Sequence, residues 1–405
     1  MDFQLSDDQR ALRSGMRDLL GAVFDRDRLR AAVEREGALD RSLWRELGAA
    51  GFFALRLPEE AGGVGLGLPE AVLLFEEAGR ALLPGPLVAT HLSAGLVKGA
   101  AEGEAVVTAV AADLPVAHLA EADAVLVVDG RASGLPGEAE GAEVLSGAAW
   151  GAEVLSGEAE GAEVLSGAAW GAEVLSGAAW GAEVLSGAAL RAFVAAARPV
   201  RSMDPLTPLH RAPADAKPAP AAPERTRADA ERAPEAAERA PAHAGRFRFE
   251  AALLTAAEQL GSAARTTEAA VQHAGDREQF GSAIGSFQAV KHLCADMLAR
   301  TEPARAAVYA AAVTGDPVEI AAAKLLADEA AVRNARDCLQ IHGGMGFTWE
   351  ADVHLHLKRA WLRAASWLTG AGAEELLAAG LGTAGRLPRS SAAYGRPVRE
   401  AGGGG

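Results

Sequence analysis

Leu12, Met16, Leu19, Leu20, Val23 and Phe24 recur at a spacing that places them on one stripe of a helix, with polar residues between them. Ser6 and Gln9 stand just ahead of that stripe. Hydroxyl and amide at this spacing can satisfy each other's unpaired backbone N–H groups and start the helix. Residues 40–51, DRSLWRELGAAG, read as a second, shorter amphipathic helix closing on Gly51. Pro69 suits the opening of a third, PEAVLLFEEAGRALL, because the amide it lacks would be unpaired there anyway. The glycine-rich LPEEAGGVGLGL between them reads as a loop. The pattern predicts an N-terminal helical domain over residues 1–104.

The periodicity then changes. Two short apolar runs, AVVTAV at 105–110 and DAVLVV at 123–128, predict strands. From Gly141 to Leu190 the chain repeats GAEVLSGAAW, or a close variant, five times. Ten residues match neither the strand period nor a whole number of helical turns. Two readings stand. Five-residue turns of a β-solenoid would stack Trp150, Trp170 and Trp180, with Glu160 interrupting the column. Alternatively, the array is a low-complexity expansion with no fixed fold. Residues 105–211 thus form a reduced, atypical β and repeat-containing middle segment. After it, residues 212–244 combine alanine, proline and alternating charge, which bury too little apolar area to offset ordering entropy. An extended linker over 212–248 is expected.

From Phe249 to about residue 380 the pattern is helical. The alanine-rich AALLTAAEQLGSAARTTEAAVQHAG ends near Gly275, and SFQAVKHLCADMLARTEPARAAVYAAAV starts at Ser286. In the next helix Asp316 is the cap, Pro317 the first residue, Glu319 an acid in the first turn and Gly343 the stop. Long helices joined by short turns predict a C-terminal four-helix bundle over 249–384, followed by a flexible tail at 385–405. The fold class is mainly α.

Composition narrows the functions. Thirty-nine basic and 54 acidic residues leave a net charge of −15, which disfavours nucleic acid and anionic membrane surfaces as partners. No apolar run reaches the ~18–20 residues of a membrane span, and the N-terminus, MDFQLSDDQRALRSG, is unlike a signal peptide. A cytoplasmic location is expected. Cys294 and Cys338 are too few for a disulfide framework and read as small core residues. His354 and His356 are two apart on a helix, poor geometry for a metal, and no metal site is expected.

Candidate chemistry gathers at QIHGGMGF, residues 340–347. Adjacent glycines at the end of a long helix are either a simple stop or bare backbone that a ligand must approach. A second motif, DREQFGSAIGSFQAVKHLCADM at 276–297, precedes it. Together with ALRLPEEAGGVGLGLPEAVLLFEEAGRAL near the N-terminus, the two motifs resemble the acyl-CoA dehydrogenase family over roughly residues 1–128 and 249–367.

That resemblance implies FAD as cofactor and an acyl-CoA thioester as substrate. Gln340, Gly343 and Gly344 would lie along its diphosphate and adenosine half, where a side chain at either glycine would hold amides away from phosphate. Arg277, Gln279, Phe280 and Gln288 would approach the FAD of a neighbouring subunit, implying at least a dimer. The reaction implied is α,β-dehydrogenation, in which a Glu removes the α-proton and the β-hydrogen leaves as hydride.

The sequence departs from the family in two places. Where many members carry Tyr-Glu-Gly-Thr, this chain has Trp367, Leu368, Thr369 and Gly370. At the alternative position on the first bundle helix it has Ala251, beside Glu250, which points elsewhere. Glu258 and Glu350 read as structural or surface carboxylates, and the catalytic residue is unassigned. The family's flavin-lining Thr-Glu-Pro segment is missing from the middle region; Thr301–Pro303 is a decoy inside a helix, and RPVRSMDPLTPL at 198–209 reads as a remnant strand and turn. These departures predict a base-less subunit that works in a homo- or hetero-oligomer with a related dehydrogenase subunit. The alternative is an assembly scaffold that binds no flavin.

Overall fold

The computed structural model describes residues 4–111, 114–128, 182–212 and 233–384. Helix α1 spans Asp7–Val23, and Ser6 and Gln9 form the reciprocal cap, each side chain 3.1 Å from the other's backbone nitrogen. Met16, Leu20 and Phe24 are buried, while Leu12, Leu19 and Val23 pack beside them, so the whole apolar stripe faces the core. A helix that the periodicity did not reveal, α2 (Arg26–Glu34), follows directly and is capped by Asp25. Helix α3 (Arg41–Ala49) is capped by Asp40 and buries Leu43, Trp44 and Leu47. Helix α4 (Leu68–Ala81) carries proline in its first turn, and a six-residue α5 (Leu87–Leu92) completes the domain.

The middle segment contributes two small sheets. Strands β1 (Val107–Ala111) and β3 (Ala124–Val128) pair in parallel, and β4 (Ala182–Leu185) lies antiparallel to β3. Strand β4 belongs to the last copy of the decapeptide array, and α6 (Gly187–Ala196) starts within that copy. Of the two readings of the array, the one with no fixed fold does not hold for residues 182–190, and a strand followed by a helix is not a stack of five-residue turns either. Leu185 and Leu190 are buried with Val125 and Phe193, because β3 offers an apolar partner that an isolated repeat lacks. The other copies lie outside the described residues. The second sheet orders β2 (Val116–Ala117), β6 (Leu209–Arg211) and β5 (Arg198–Val200). Strands β5 and β6 flank a turn in which the Asp204 carboxylate accepts from the Leu206 amide and the Thr207 hydroxyl, at 3.1 and 2.6 Å.

The bundle begins earlier than the sequence pattern indicates. Helix α7 runs from Ala233 to Asp276, so residues 233–248 are helical and the expected linker to 248 is corrected. Alanine, the strongest helix former, outweighs the prolines of this stretch, and Phe247 is fully buried against Trp367, with ring centroids 5.6 Å apart. A hairpin of β7 (Glu278–Gln279) and β8 (Ser282–Ala283) reverses the chain into α8 (Gln288–Thr314), which starts one residue after Phe287 rather than at Ser286. Thr301–Pro303 lies inside α8. Gly315, at φ 65°, and Asp316 reverse it again into α9 (Pro317–His342), with Asp316 accepting from the Val318 and Glu319 amides. Helices α10 (Val353–Ala364) and α11 (Gly370–Ala384) pack against α9.

Helix α4 crosses α7 at unusually close range. A Cβ on Gly79 would lie 2.0 Å from the Glu258 carbonyl oxygen, and one on Gly261 would lie 1.8 Å from that of Glu76. Two glycines, one on each helix, thus let the backbones touch and join the N-terminal domain to the bundle.

Candidate functional site

The two glycine- and arginine-bearing motifs meet at one end of the bundle. The Ile284 amide donates to the Arg277 carbonyl at 2.8 Å, and Ile284 packs with Ala274, Cys338, Leu339 and Ile341. One residue before Gly343, the His342 ring stacks on His273 with centroids 4.1 Å apart. The hairpin turn puts Phe280 at φ 53° and 93% exposed, edge-on to Phe287 at 6.1 Å. Arg277, Gln279, Gln288, Gln340, Gly343 and Gly344 are also exposed. Arg277 makes no ion pair among the described residues.

The glycines differ in what requires them. Gly343 ends α9 at φ 62° and ψ −143°, a conformation essentially confined to glycine. A Cβ on Gly344 would meet nothing within 4 Å. Among the described residues, nothing excludes a side chain at 344; the open space in front of it leaves room for a phosphate group or a second subunit to approach the backbone.

The histidines and cysteines take structural roles. The His342 Nδ1 lies 2.8 Å from the Cys338 carbonyl, and His356 Nδ1 lies 2.8 Å from the Ser262 hydroxyl. Burial pushes the Cys338 thiol up to about 12, so it stays protonated. Among the described residues no group of three metal-binding side chains exists.

A cavity of ≈ 230 Å³ opens between α5, the β1–β2 region, α7, α10 and the stretch after α10. Ala365, Ser366 and Trp367 form part of its wall, so it adjoins the place where a base would be expected. Trp367 is neither acid nor base, and Leu368 packs on the hydrophobic core. Further in, the wall is polar: Thr255 and Glu258 from α7, Arg359 and Arg363 from α10. Glu258 accepts from Arg363 Nη2 at 2.6 Å. Burial raises the Glu258 carboxyl, against the pull of Arg363 and Arg359, and lowers Arg363 to about 10. Arg359 donates to Asp204 and, at 3.0 Å, to the Leu83 carbonyl.

Glu258 therefore is a structural carboxylate, and also a cavity residue that the sequence reading did not place there. The available signal was its position seven residues after Ala251, which is the same helical face two turns on. Glu250 is absent from the cavity wall. It sits buried between Arg56 and Arg246, at 2.7 and 3.0 Å. Burial favours its protonated form, but the two guanidinium groups outweigh that and hold it below the usual carboxylate range.

A helical N-terminal domain, short strands and a bundle of long helices carrying these motifs define a class of flavoprotein fold. The acyl-CoA dehydrogenase N-terminal domain family matches residues 6–102 and the C-terminal domain family residues 245–384, and the chain belongs to the acyl-CoA dehydrogenase family. Among individual relatives it is 33% identical to acyl-CoA dehydrogenase IpdE2 of Mycobacterium tuberculosis, over 87% of this chain and 91% of the relative. It is 46% identical to FadE34 of the same organism over 35% of this chain and 23% of that protein. The fold is similar to glutaryl-coenzyme A dehydrogenase (TM-score 0.68, 18% identity, 98% and 100% coverage). It is also similar to a chain of the ChsE4–ChsE5 complex of Mycobacterium tuberculosis (TM-score 0.63, 19% identity, 96% and 100% coverage). Among the described residues no helix is long and apolar enough to cross a membrane.

Proposed function

We propose that this chain is a base-less subunit of an FAD-dependent acyl-CoA dehydrogenase that requires a related partner subunit. One observation carries this reading: among the described residues the only carboxylate in the cavity wall, Glu258, is committed to Arg363, while the stretch where a base is expected presents Trp367. A base must be anionic and free to reach the substrate's α-carbon. Neither Glu258 nor Glu250 meets both conditions.

The residues at the far end of the bundle fit FAD. Arg277 offers an unspent guanidinium fork for a diphosphate, Gly343 and Gly344 offer bare backbone, and Gln279, Gln288 and Gln340 offer amide donors beside them. Phe280 would cover the cofactor's apolar edge. When bound, FAD supplies the acceptor for the substrate's β-hydrogen. Glu258 and Arg277 are 19 residues apart, about 28 Å along a helix at 1.5 Å per residue. That separation supports a flavin held at this end serving a neighbouring subunit's substrate. The chain's own contribution is to hold the cofactor, shape an acyl cavity and exclude water from it. The ChsE4–ChsE5 complex, a heteromer by its name, offers a precedent for such pairing in this fold.

The test is the visible absorption of the purified chain, alone and co-expressed with a related dehydrogenase subunit, before and after anaerobic addition of acyl-CoA thioesters. Flavin retained only with the partner is the expected result. Flavin bound by the chain alone and bleached by an acyl-CoA would show an unassigned base and overturn the base-less reading. No flavin under either condition would favour a scaffold.

A further inference from the structure

A second pocket, of ≈ 190 Å³, lies where the N-terminal domain meets the bundle. Its wall comes from the α1–α2 junction, the end of α4, α7 and the start of α10. It shares no residue with the cavity beside Trp367 or with the residues assigned to the flavin.

His356 lines this pocket and is 7% exposed. Its Nδ1 lies 2.8 Å from the Ser262 hydroxyl, which makes no other hydrogen bond among the described residues. Ser262 is fully buried, and a hydroxyl proton left there without an acceptor is costly. The hydroxyl therefore donates to Nδ1, and the proton of the neutral ring sits on Nε2. Nε2 has no partner among the described residues, yet it is not sealed in protein as the unpaired ring nitrogens of His91 and His354 are. The pocket is the space on which that N–H opens.

Arg265, on the same wall, is incompletely paired. It approaches Glu268 only to 3.9 Å, and both Glu268 oxygens already accept from Arg80, at 2.9 and 2.6 Å. Its side chain is 47% exposed, so its guanidinium fork is not walled off. The two lining carboxylates are engaged: Asp352 holds Arg26 and Arg30, and Asp25 accepts from the Arg28 amide to start α2. Three arginines against two carboxylates leave the wall with one positive charge in excess. The ion-pair partners just behind it, Arg17 and Arg30 against Glu77 and Glu268, do not change that balance. The field at the His356 ring has the same sign: burial keeps the ring neutral, and the charges acting with it are Arg265, Arg359, Arg363 and Arg80.

Size and charge narrow the ligand. The volume is several times the roughly 30 Å³ of one water, more than a halide ion fills. A dianion would leave one negative charge unmatched. Two carboxylate oxygens suit a guanidinium fork and one imidazole N–H, and Phe24, Leu29 and Leu82 supply an apolar floor beside them. We propose that this pocket binds a small monoanionic carboxylate with a short apolar group, its oxygens on Arg265 and His356 Nε2. The bound molecule touches both the N-terminal helices and the bundle, and so holds the two together.

The experiment is calorimetric titration of the full chain with propionate at constant ionic strength, with propionamide and inorganic phosphate as comparisons. Saturable propionate binding is expected, at least about tenfold tighter than either comparison, with a melting temperature that rises with propionate concentration. Arg265→Met, at a half-exposed position, should weaken propionate at least about tenfold and leave the melting temperature of the ligand-free chain nearly unchanged. His356→Leu removes the N–H and should weaken binding similarly, whereas His356→Gln, which keeps a side-chain N–H, should stay within about threefold of the parent. If His356→Leu fails to fold, Arg265→Met still decides. Propionate binding undiminished by Arg265→Met would place the ligand elsewhere and overturn the site. Equal binding of propionamide would overturn the role of charge, and tighter binding of phosphate would overturn the carboxylate assignment. No saturable binding of any of the three would overturn the proposal outright, without touching the acyl-CoA reading.

Discussion

At the scale of single residues, Gly343 and Gly344 separate two demands that the sequence presents as one. Gly343→Ala forces a side chain into the φ 62° conformation and should cost about 1–3 kcal/mol of stability. Gly344→Ala meets no atom of the described residues, so thermal unfolding should be nearly unchanged, while flavin retention by the assembly falls. Comparing melting temperature with visible absorption in the two variants tells stop from ligand site; equal flavin retention by Gly344→Ala and the parent would remove the cofactor role from 344. Glu250 makes the complementary case. Glu250→Ala strands Arg56 in a buried setting and should cost about 3–5 kcal/mol in chemical denaturation. Any dehydrogenation by the assembly should survive Glu250→Gln.

At the scale of elements, the crossing of α4 and α7 depends on two glycines that no periodicity would select. Gly79→Ala or Gly261→Ala places a methyl carbon at covalent-like range from the opposing backbone, so the helices must part. A loss of about 3 kcal/mol or more is expected, at the upper edge of ordinary overpacking, and urea unfolding would measure it. Sequence reading served best where a signal is local. The Ser6–Gln9 and Asp316–Pro317 starts are legible because capping involves residues three apart, and the apolar stripe of α1 follows from helix geometry alone. Reading failed where the partner is distant. The last decapeptide copy becomes a strand because β3 lies beside it, and residues 233–248 extend α7 where the prolines had suggested an end to order. The cavity wall was hidden for the same reason: Glu258 and Arg363 are 105 residues apart, and only the fold pairs them.

At the scale of the whole molecule, buried histidines should make stability sensitive to mild acid. Burial lowers His91 and His356 from 6.5 to about 3. His91 lies among Phe52 and Phe75, with Nδ1 3.0 Å from the Phe52 carbonyl. The unfolded chain takes up these protons below pH 6.5, whereas the folded chain resists until near pH 3. Their contribution is complete above pH 6.5 and is lost progressively as pH falls between those values. Denaturant midpoints measured from pH 7.5 to 4.5 should therefore decline steadily, and His356→Gln should flatten the slope. A midpoint that holds constant over this range would contradict the depressed values.

Arg359 ties together stretches of chain that synthesis produces far apart. Its guanidinium bonds Asp204 and Leu83, at sequence separations of 155 and 276 residues. Contacts of such span are formed only after long loops have been closed. The inner wall of the cavity is thus a late product of folding, assembled once the N-terminal helices, the remnant sheet and the bundle have each taken shape. A ligand that fills it engages contacts that the folding transition state lacks. Its binding should lengthen the lifetime of the native chain by slowing unfolding and leave the rate of folding almost untouched.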